Sequence, residues 1–256
     1  MEFKIVTYGT RNFNGQGNFI MPKLKQYGVE SFSFPVNGKE IIFANNKGQK
    51  TYIKNRMDRM LSKEPETINW INTFSKDSVF FDVGANIGIY TLYSAVVKEN
   101  TVYSFEPHAA SYKNLLDSIN LNKIDKCQAF CVALSDKISL SMLDVKNMYE
   151  GVAENKVGQR GEYYHGCTEM HLDFLVEKKI LPQPDYIKID VDGFEDKIIK
   201  GSLATMQKCK SVLVEINHKH KQYIQDVIDA GLKLKSKHKR NENEFNYIFT
   251  NENRED

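Results

Sequence analysis

Four short apolar runs in this 256-residue chain end in a carboxylate. Val79-Phe80-Phe81 runs into Asp82, Val102–Phe105 into Glu106, Ile187-Lys188-Ile189 into Asp190 with Asp192 two residues on, and Val212-Leu213-Val214 into Glu215. Apolar runs of this length read as buried parallel strands. In an open α/β sheet the ligand crevice lies at the carboxyl ends of such strands, so these acids are expected to share one site. Acids in such a place can hold ribose or substrate hydroxyls, act as a general base, or bind a divalent metal.

The first run leads into Asp82-Val83-Gly84-Ala85-Asn86-Ile87-Gly88, and a helical pattern follows from Ile89. No Lys-Ser/Thr follows Gly88, so a P-loop is excluded. The dinucleotide-binding spacing Gly-x-Gly-x-x-Gly also fails, because Asn86 and Ile89 stand where its second and third glycines belong. S-adenosylmethionine carries no phosphate. It needs close backbone approach, which Gly84 and Gly88 allow, and polar groups such as Asp82 and Asn86 beside its cationic amino-acid end. Glu106, followed by Pro107, is placed to accept from both ribose hydroxyls. Ser135 and Asp136, after Val132-Ala133-Leu134, stand where an adenine would lie. On this reading the cofactor contacts come from Asp82, Val83, Gly84, Ala85, Asn86, Gly88, Glu106, Pro107, Ser135, Asp136 and Asp190. The acceptor-side candidates are Asp190, Asp192, Glu215 and His218, with Asp190 foremost as general base. Glu195 is either functional or a favourable acid at the start of a helix. A divalent metal on the acid cluster is possible but not favoured. The cysteines Cys127, Cys131, Cys167 and Cys209 form no Cys-x-x-Cys pair, so they read as reduced core residues.

The elements that must position these residues alternate. Strand-like runs fall at Val79–Val83, Thr101–Phe105, Gln128–Leu134, Tyr186–Val191 and Val212–Ile216. Helical patterns lie at Ile89–Val97, Ser111–Leu121, about 168–179 and Phe194–Met206, with another at about 219–230. This predicts a doubly wound, mostly parallel α/β sheet. Two last strands, Leu232–His238 and Phe245–Thr250, are joined by Asn241-Glu242-Asn243 and predict an antiparallel hairpin. Lysines at 233, 235, 237 and 239 alternate, which places them on one face of a strand. Upstream, two strand-like runs flank Asn37-Gly38, a hairpin signal. A turn-rich segment, Asn12–Asn18, precedes them, and a helical pattern over about 56–75 follows, with Pro65 suited to a first turn and Trp70 to the core. The domain reading is an N-terminal extension over 1–60 and a main domain over 61–256. Residues 145–167 show no clear period and are expected to be a loop near the acceptor.

Hydrophobic residues make up 41% of the chain, enough for a full core, and the formal charge is +2, which gives nucleic acid no electrostatic footing as main partner. No apolar run is long enough to span a bilayer, and Met1–Thr7 lacks a signal peptide's apolar segment; the expectation is a cytoplasmic protein.

The ordered set Phe-Phe-Asp-Val-Gly-Ala-Asn-Ile-Gly, Phe-Glu-Pro, Ala-Leu-Ser-Asp, Leu-Asp-Phe-Leu at 172–175, Ile-Lys-Ile-Asp-Val-Asp-Gly-Phe-Glu and Val-Glu-Ile-Asn resembles the FkbM-type methyltransferases over roughly 78–217. The resemblance implies a class I methyltransferase (Rossmann-like) fold, S-adenosylmethionine as donor, and O-methylation, often of a sugar or polyketide-derived hydroxyl. The family commonly has Asp-Val-Glu-Gly where this chain has Asp190-Val191-Asp192-Gly193, an acid one methylene shorter. A sugar or glycan hydroxyl is therefore the expected acceptor. The alternatives are an RNA or protein acceptor, which the C-terminal lysines suggest, and a non-catalytic adenosine-binding module.

Overall fold

The inner strands of the central sheet are apolar on both faces. The computed structural model describes residues 5–6, 30–45, 50–59, 61–151, 155–220 and 222–254. An N-terminal three-stranded sheet holds β1 (Ile5–Val6), β2 (Glu30–Val36) and β3 (Lys39–Asn45), with β2 and β3 antiparallel around Asn37-Gly38. Helices α1 (Lys50–Asp58) and α2 (Pro65–Asn72) follow. Then come β4 (Val79–Val83), α3 (Ile89–Leu92) running into a π-turn at Tyr93–Val97, β5 (Thr101–Phe105), α4 (Ala109–Asn122) and β6 (Cys127–Phe130). A second small sheet contains β7 (Ala133–Leu134), β8 (Ser139–Val145), β9 (Lys156–Val157) and β10 (Tyr163–Met170). The chain returns through α5 (Leu172–Glu177), β11 (Tyr186–Ile189), α6 (Glu195–Lys200), α7 (Leu203–Met206), β12 (Ser211–Asn217), α8 (Gln222–Asp229), β13 (Lys233–Lys239) and β14 (Glu244–Thr250).

The seven-stranded sheet has the order β13-β14-β12-β11-β4-β5-β6. Pairs from β12 through β6 are parallel, and β14 lies antiparallel between β12 and β13. Alternation along each strand fills two apolar layers. Phe80, Val102 and Leu213 face one; Phe81, Val83, Phe105, Val212 and Val214 face the other. The first layer also holds Phe32, Phe34, Ile41 and Phe43 of the hairpin, with Ile53 of α1. Each such buried side chain contributes about 1.5–3 kcal/mol. Trp70 packs in this layer, edge-on to Phe74 and Phe80, and its Nε1 donates to Ser211 Oγ at 2.9 Å.

Local expectations change at five places. Residues 145–167 are not one loop: β10 pairs with β8 from Tyr163↔Val145 to Glu169↔Ser139, and β9 pairs with β8. The run Gln128–Leu134 is two strands, because the chain leaves the central sheet after Phe130 and enters the small one at Ala133. The helix expected from about 168 begins at Leu172; His171 caps it, its Nδ1 accepting from Phe174 N at 3.1 Å, and 168–170 belong to β10. The helix over Phe194–Met206 divides at Gly201-Ser202 into α6 and α7. A bulge between Leu234 and Ser236 shifts the β13 register, so Lys233 stands opposite Thr250 while Lys237 and Lys239 stand opposite Tyr247 and Phe245. The lysines therefore do not share one face. The turn-rich Asn12–Asn18 lies outside the described residues.

Candidate active site

Four parallel strands stop at the same edge, and backbone hydrogen bonds continue the ladder into the loops. Gly84 and Ala85 N–H donate to Phe105 O at 2.9 and 3.1 Å, Asp190 N–H to Val83 O at 3.1 Å, and Glu106 N–H to Phe130 O at 3.1 Å. Gly84 has φ +80, and a Cβ there would lie 1.9 Å from Asp190 O. Only glycine lets the β4 loop pass this close to the end of β11. Gly88, at φ +86, holds a backbone conformation that favours glycine and faces the side-chain end of Leu115, whose Cδ1 a Cβ would meet at 2.4 Å.

Above these ends lies a cavity of about 380 Å³. Its β4–β5 end is lined by Val83, Gly84, Ala85, Asn86, Glu106 and Pro107. Glu106 accepts from Asn86 N–H at 2.7 Å through Oε2 and from His108 N–H at 2.8 Å through Oε1. One carboxylate thus clamps both loops. Burial, opposed by those two bonds and aided by Asp192 and Asp82, pushes its pKa up to about 7. Asp82 sits behind the loop. It is 1% exposed, its Oδ2 accepts from Thr91 Oγ1 at 2.6 Å, and burial raises its carboxyl. It does not line the cavity, and its role is to fix the loop from below.

The β11–β12 end is built from charged side chains. Lys188, 1% exposed within β11, donates to Asp190 Oδ2 at 2.7 Å and lies 4.7 Å from the centroid of the Tyr90 ring. Burial works against both charges, but their mutual attraction prevails: Lys188 is held well above the ordinary lysine range and Asp190 is lowered. Glu215 accepts from Arg240 Nε at 3.1 Å, and Arg240 also reaches Glu64 Oε1 at 2.7 Å and the Lys63 carbonyl at 3.1 Å. Burial, then the Asp190 carboxylate, pushes Glu215 up to about 9 despite Arg240. Tyr90 is raised well above its ordinary value by burial and by Glu64.

Of the residues singled out in the sequence, the structure brings together Val83, Gly84, Ala85, Asn86, Glu106 and Pro107 with Asp190, Asp192 and Glu215 around one cavity. Ser135 and Asp136 line an adjoining cavity of about 420 Å³, which shares Val157 and Phe194 with the first. Gly88 closes the loop, donating to Ala85 O at 2.8 Å. His218 is outside the cavity, with its Nδ1 3.2 Å from Asn243 O. Glu195 binds its own turn through Gly193 N–H at 2.9 Å. Lys188, Tyr90, Glu64 and Arg240 were not singled out. A lysine inside an otherwise apolar strand was a visible signal for the first; nothing local marks the others.

The residues fit S-adenosylmethionine on two observations. Gly84 lets the β4 loop pass against the end of β11 at the cavity wall, where a Cβ would meet Asp190 O, and the adjoining acids, Glu106 and Asp192, suit a cationic ligand and repel a pyrophosphate. Among the described residues no three His, Cys, Asp or Glu side chains group as metal ligands would.

A seven-stranded sheet with one reversed strand next to its edge, and a site at the ends of β4, β5, β11 and β12, is the class I methyltransferase fold. The methyltransferase FkbM domain matches residues 82–247, well over half of the chain, and the chain belongs to that family of methyltransferases. It is 30% identical over 145 residues to the hexuronic acid methyltransferase AglP of Haloferax volcanii, covering 56% of this chain and 57% of the relative. It is 26% identical over 148 residues to Methyltransferase 1 of Beauveria bassiana, covering 50% and 59%. The chain thus spans less than two thirds of these relatives. The solved structure of the methyltransferase FkbM from Methylobacillus flagellatus superposes with a TM-score of 0.50 at 14% identity, covering 78% of this chain and 55% of that one. Among the described residues no helix is long and apolar enough to cross a membrane.

Proposed function

We propose that the protein transfers the methyl group of S-adenosylmethionine to a hydroxyl of a sugar or glycan, in the cytoplasm. The observation that carries this reading is one cavity with two unlike ends: a glycine-cradled, acid-lined loop at β4–β5 and a buried charge cluster at β11–β12. The name of the AglP relative supports a sugar acceptor.

When bound, the donor supplies an electrophilic methyl carbon whose S–C bond breaks, its electrons passing to sulfur, as the new O–C bond forms. The chain must align the acceptor oxygen with that carbon and receive the hydroxyl proton. Asp190 is the assigned base. Lys188 holds it ionised and fixes its orientation. A lowered carboxylate takes the proton late, once O–C bond formation has acidified the hydroxyl. Glu215, pushed up to about 9, carries its proton near neutral pH. It is therefore a hydrogen-bond donor to the acceptor, not a second base; the two acids' pKa values are driven apart. Asp192 lines the same cavity and is exposed, which suits acceptor hydroxyls. His218 takes no part in this scheme.

The test is methyl transfer to a panel of glycosides, followed by mass spectrometry, in wild type and Asp190→Asn. The expected loss in kcat is on the order of 10²–10⁴-fold. A wild-type rate in Asp190→Asn removes the base assignment. Undiminished turnover after chelation excludes a required metal. Methylation of RNA or protein with no sugar methylated replaces the acceptor class.

A further inference from the structure

We infer that Arg240 is a positioning residue for methyl transfer: its guanidinium holds the Glu215 carboxyl by Oε2 and leaves Oε1 to meet the acceptor. The inference rests on the methyl-transfer reading above and deepens it.

Arg240 starts from a fixed backbone. It follows β13, and its N–H donates to Glu244 O at 2.9 Å across the turn into β14. Asn241 pins that turn, its Oδ1 accepting from Asn243 N–H at 2.9 Å and from Glu244 N–H at 3.0 Å. His218 N–H fastens the turn to the end of β12 by donating to Asn243 O at 2.7 Å.

The side chain then meets three acceptors from two other segments. Nε donates to Glu215 Oε2 at 3.1 Å, Nη1 donates to the Lys63 carbonyl at 3.1 Å, and Nη2 lies 2.7 Å from Glu64 Oε1. Two of these anchors are themselves held. Lys63 N–H donates to Arg59 O at 2.7 Å, and Glu64 Oε2 accepts from Thr67 Oγ1 at 3.3 Å. The donors of a guanidinium form a rigid planar fork, so three acceptors around it fix both its place and its tilt. An ammonium on a flexible stem is a point charge and fixes neither.

Glu215 is where this rigidity matters. Its side chain is 11% exposed, and it lines the cavity with Asp190. Among the described residues its carboxyl has Arg240 as its one hydrogen-bond partner, on Oε2. Oε1 is the oxygen left for a ligand. Around the carboxyl stand Asp190, Glu64, Lys188 and Arg240; burial and the two acids outweigh the two cations, and Glu215 keeps its proton near neutral pH. A protonated carboxyl has one O–H donor, and an oxygen already accepting from a cation is the poorer place for it. The proton therefore belongs on Oε1, and the carboxyl donates in one direction.

The experiment uses the full chain with S-adenosylmethionine and whichever of a methyl hexoside and a methyl hexuronide wild type methylates faster. Glu215→Gln keeps an acceptor for Arg240 and a donor for the sugar; Glu215→Ala keeps neither. The kcat of Glu215→Gln is expected to be at least tenfold above that of Glu215→Ala. With Arg240→Lys added to both, that gap is expected to shrink below threefold, while donor affinity by calorimetry moves less than threefold. A merely structural role for Arg240 lowers both rates alike and keeps the gap. Thermal unfolding reports whether Arg240→Lys is folded; if it unfolds early, Glu64→Gln, which weakens one anchor of the guanidinium and keeps its shape, must narrow the gap in its place. Equal rates for Glu215→Gln and Glu215→Ala, or a gap that survives the second substitution, overturn this inference and leave the methyl-transfer reading standing. A wild type that binds the donor and methylates neither sugar overturns the reading itself.

Discussion

The two ends of the cavity are made in different ways. The β4–β5 end, proposed above for the donor, is held by backbone: Gly84 and Ala85 bonded to Phe105, Gly88 closing on Ala85, and Glu106 clamping two N–H groups. The β11–β12 end, proposed above for the acceptor, is held by side chains drawn from positions as far apart as Glu64 and Arg240. A backbone cradle admits one kind of ligand and tolerates little change. A charge cluster can be retuned residue by residue.

Substitutions at each end sharpen that contrast. The largest effect is expected at Lys188→Met, which leaves Asp190 among buried acids without its cation. A loss of about 3–5 kcal/mol in unfolding free energy is expected from denaturant titration; a loss below about 1 kcal/mol would falsify the buried-pair account. Gly84→Ala strikes the seam between the ends. Its Cβ would overlap Asp190 O and force a side chain into positive φ, so about 3 kcal/mol of stability and measurable donor binding should be lost together. Binding retained at wild-type affinity would mean the cradle is wider than described. Glu106→Ala should weaken S-adenosylmethionine binding by about 1–3 kcal/mol in calorimetry, through lost ribose contacts and two unpaired N–H groups.

The last effect is one of pH. Glu215 has a folded pKa of about 9 against an ordinary 4.5, so between those values the folded state holds more protons than the unfolded one. Its contribution to stability is full below about 4.5 and is lost as pH rises through about 9. Glu215→Gln should flatten that fall in melting temperature. An unaltered slope would place the titration elsewhere.

The same contrast explains what the sequence reveals. The donor end is written in consecutive residues: the spacing of Gly84 and Gly88, and the acid closing β5, are local facts that fix turn type and ligand class. The sheet order follows from alternating elements and a short final joint. The acceptor end depends on Glu64, Tyr90, Lys188 and Arg240 meeting in space, and no local pattern reports a contact across 176 positions of chain. The small sheet was hidden for a related reason. Its pairing joins Ser139–Val145 to Tyr163–Met170 across an irregular segment, and β10, with Gly166 and the exposed Tyr163 and Tyr164, has no continuous apolar face. His171 and Ser202 cut the expected helices at positions where apolar periodicity alone continues.

The hairpin of β2 and β3 presents an outer strand with no further strand beside it among the described residues. Helix α4 answers that strand with a ladder of its own. Ser118 Oγ accepts from Ala44 N–H at 2.9 Å, Asn114 Nδ2 donates to Ala44 O at 2.9 Å, and Asn122 both accepts from Ile42 N–H at 2.9 Å and donates to Ile42 O at 2.6 Å. Residues 114, 118 and 122 recur once per turn, so one helical stripe imitates a neighbouring strand. Until α4 has formed and docked, that strand is an open template for a second chain. During synthesis the hairpin emerges first and its guard some seventy residues later, so self-association is a hazard of the nascent protein that the finished one has sealed.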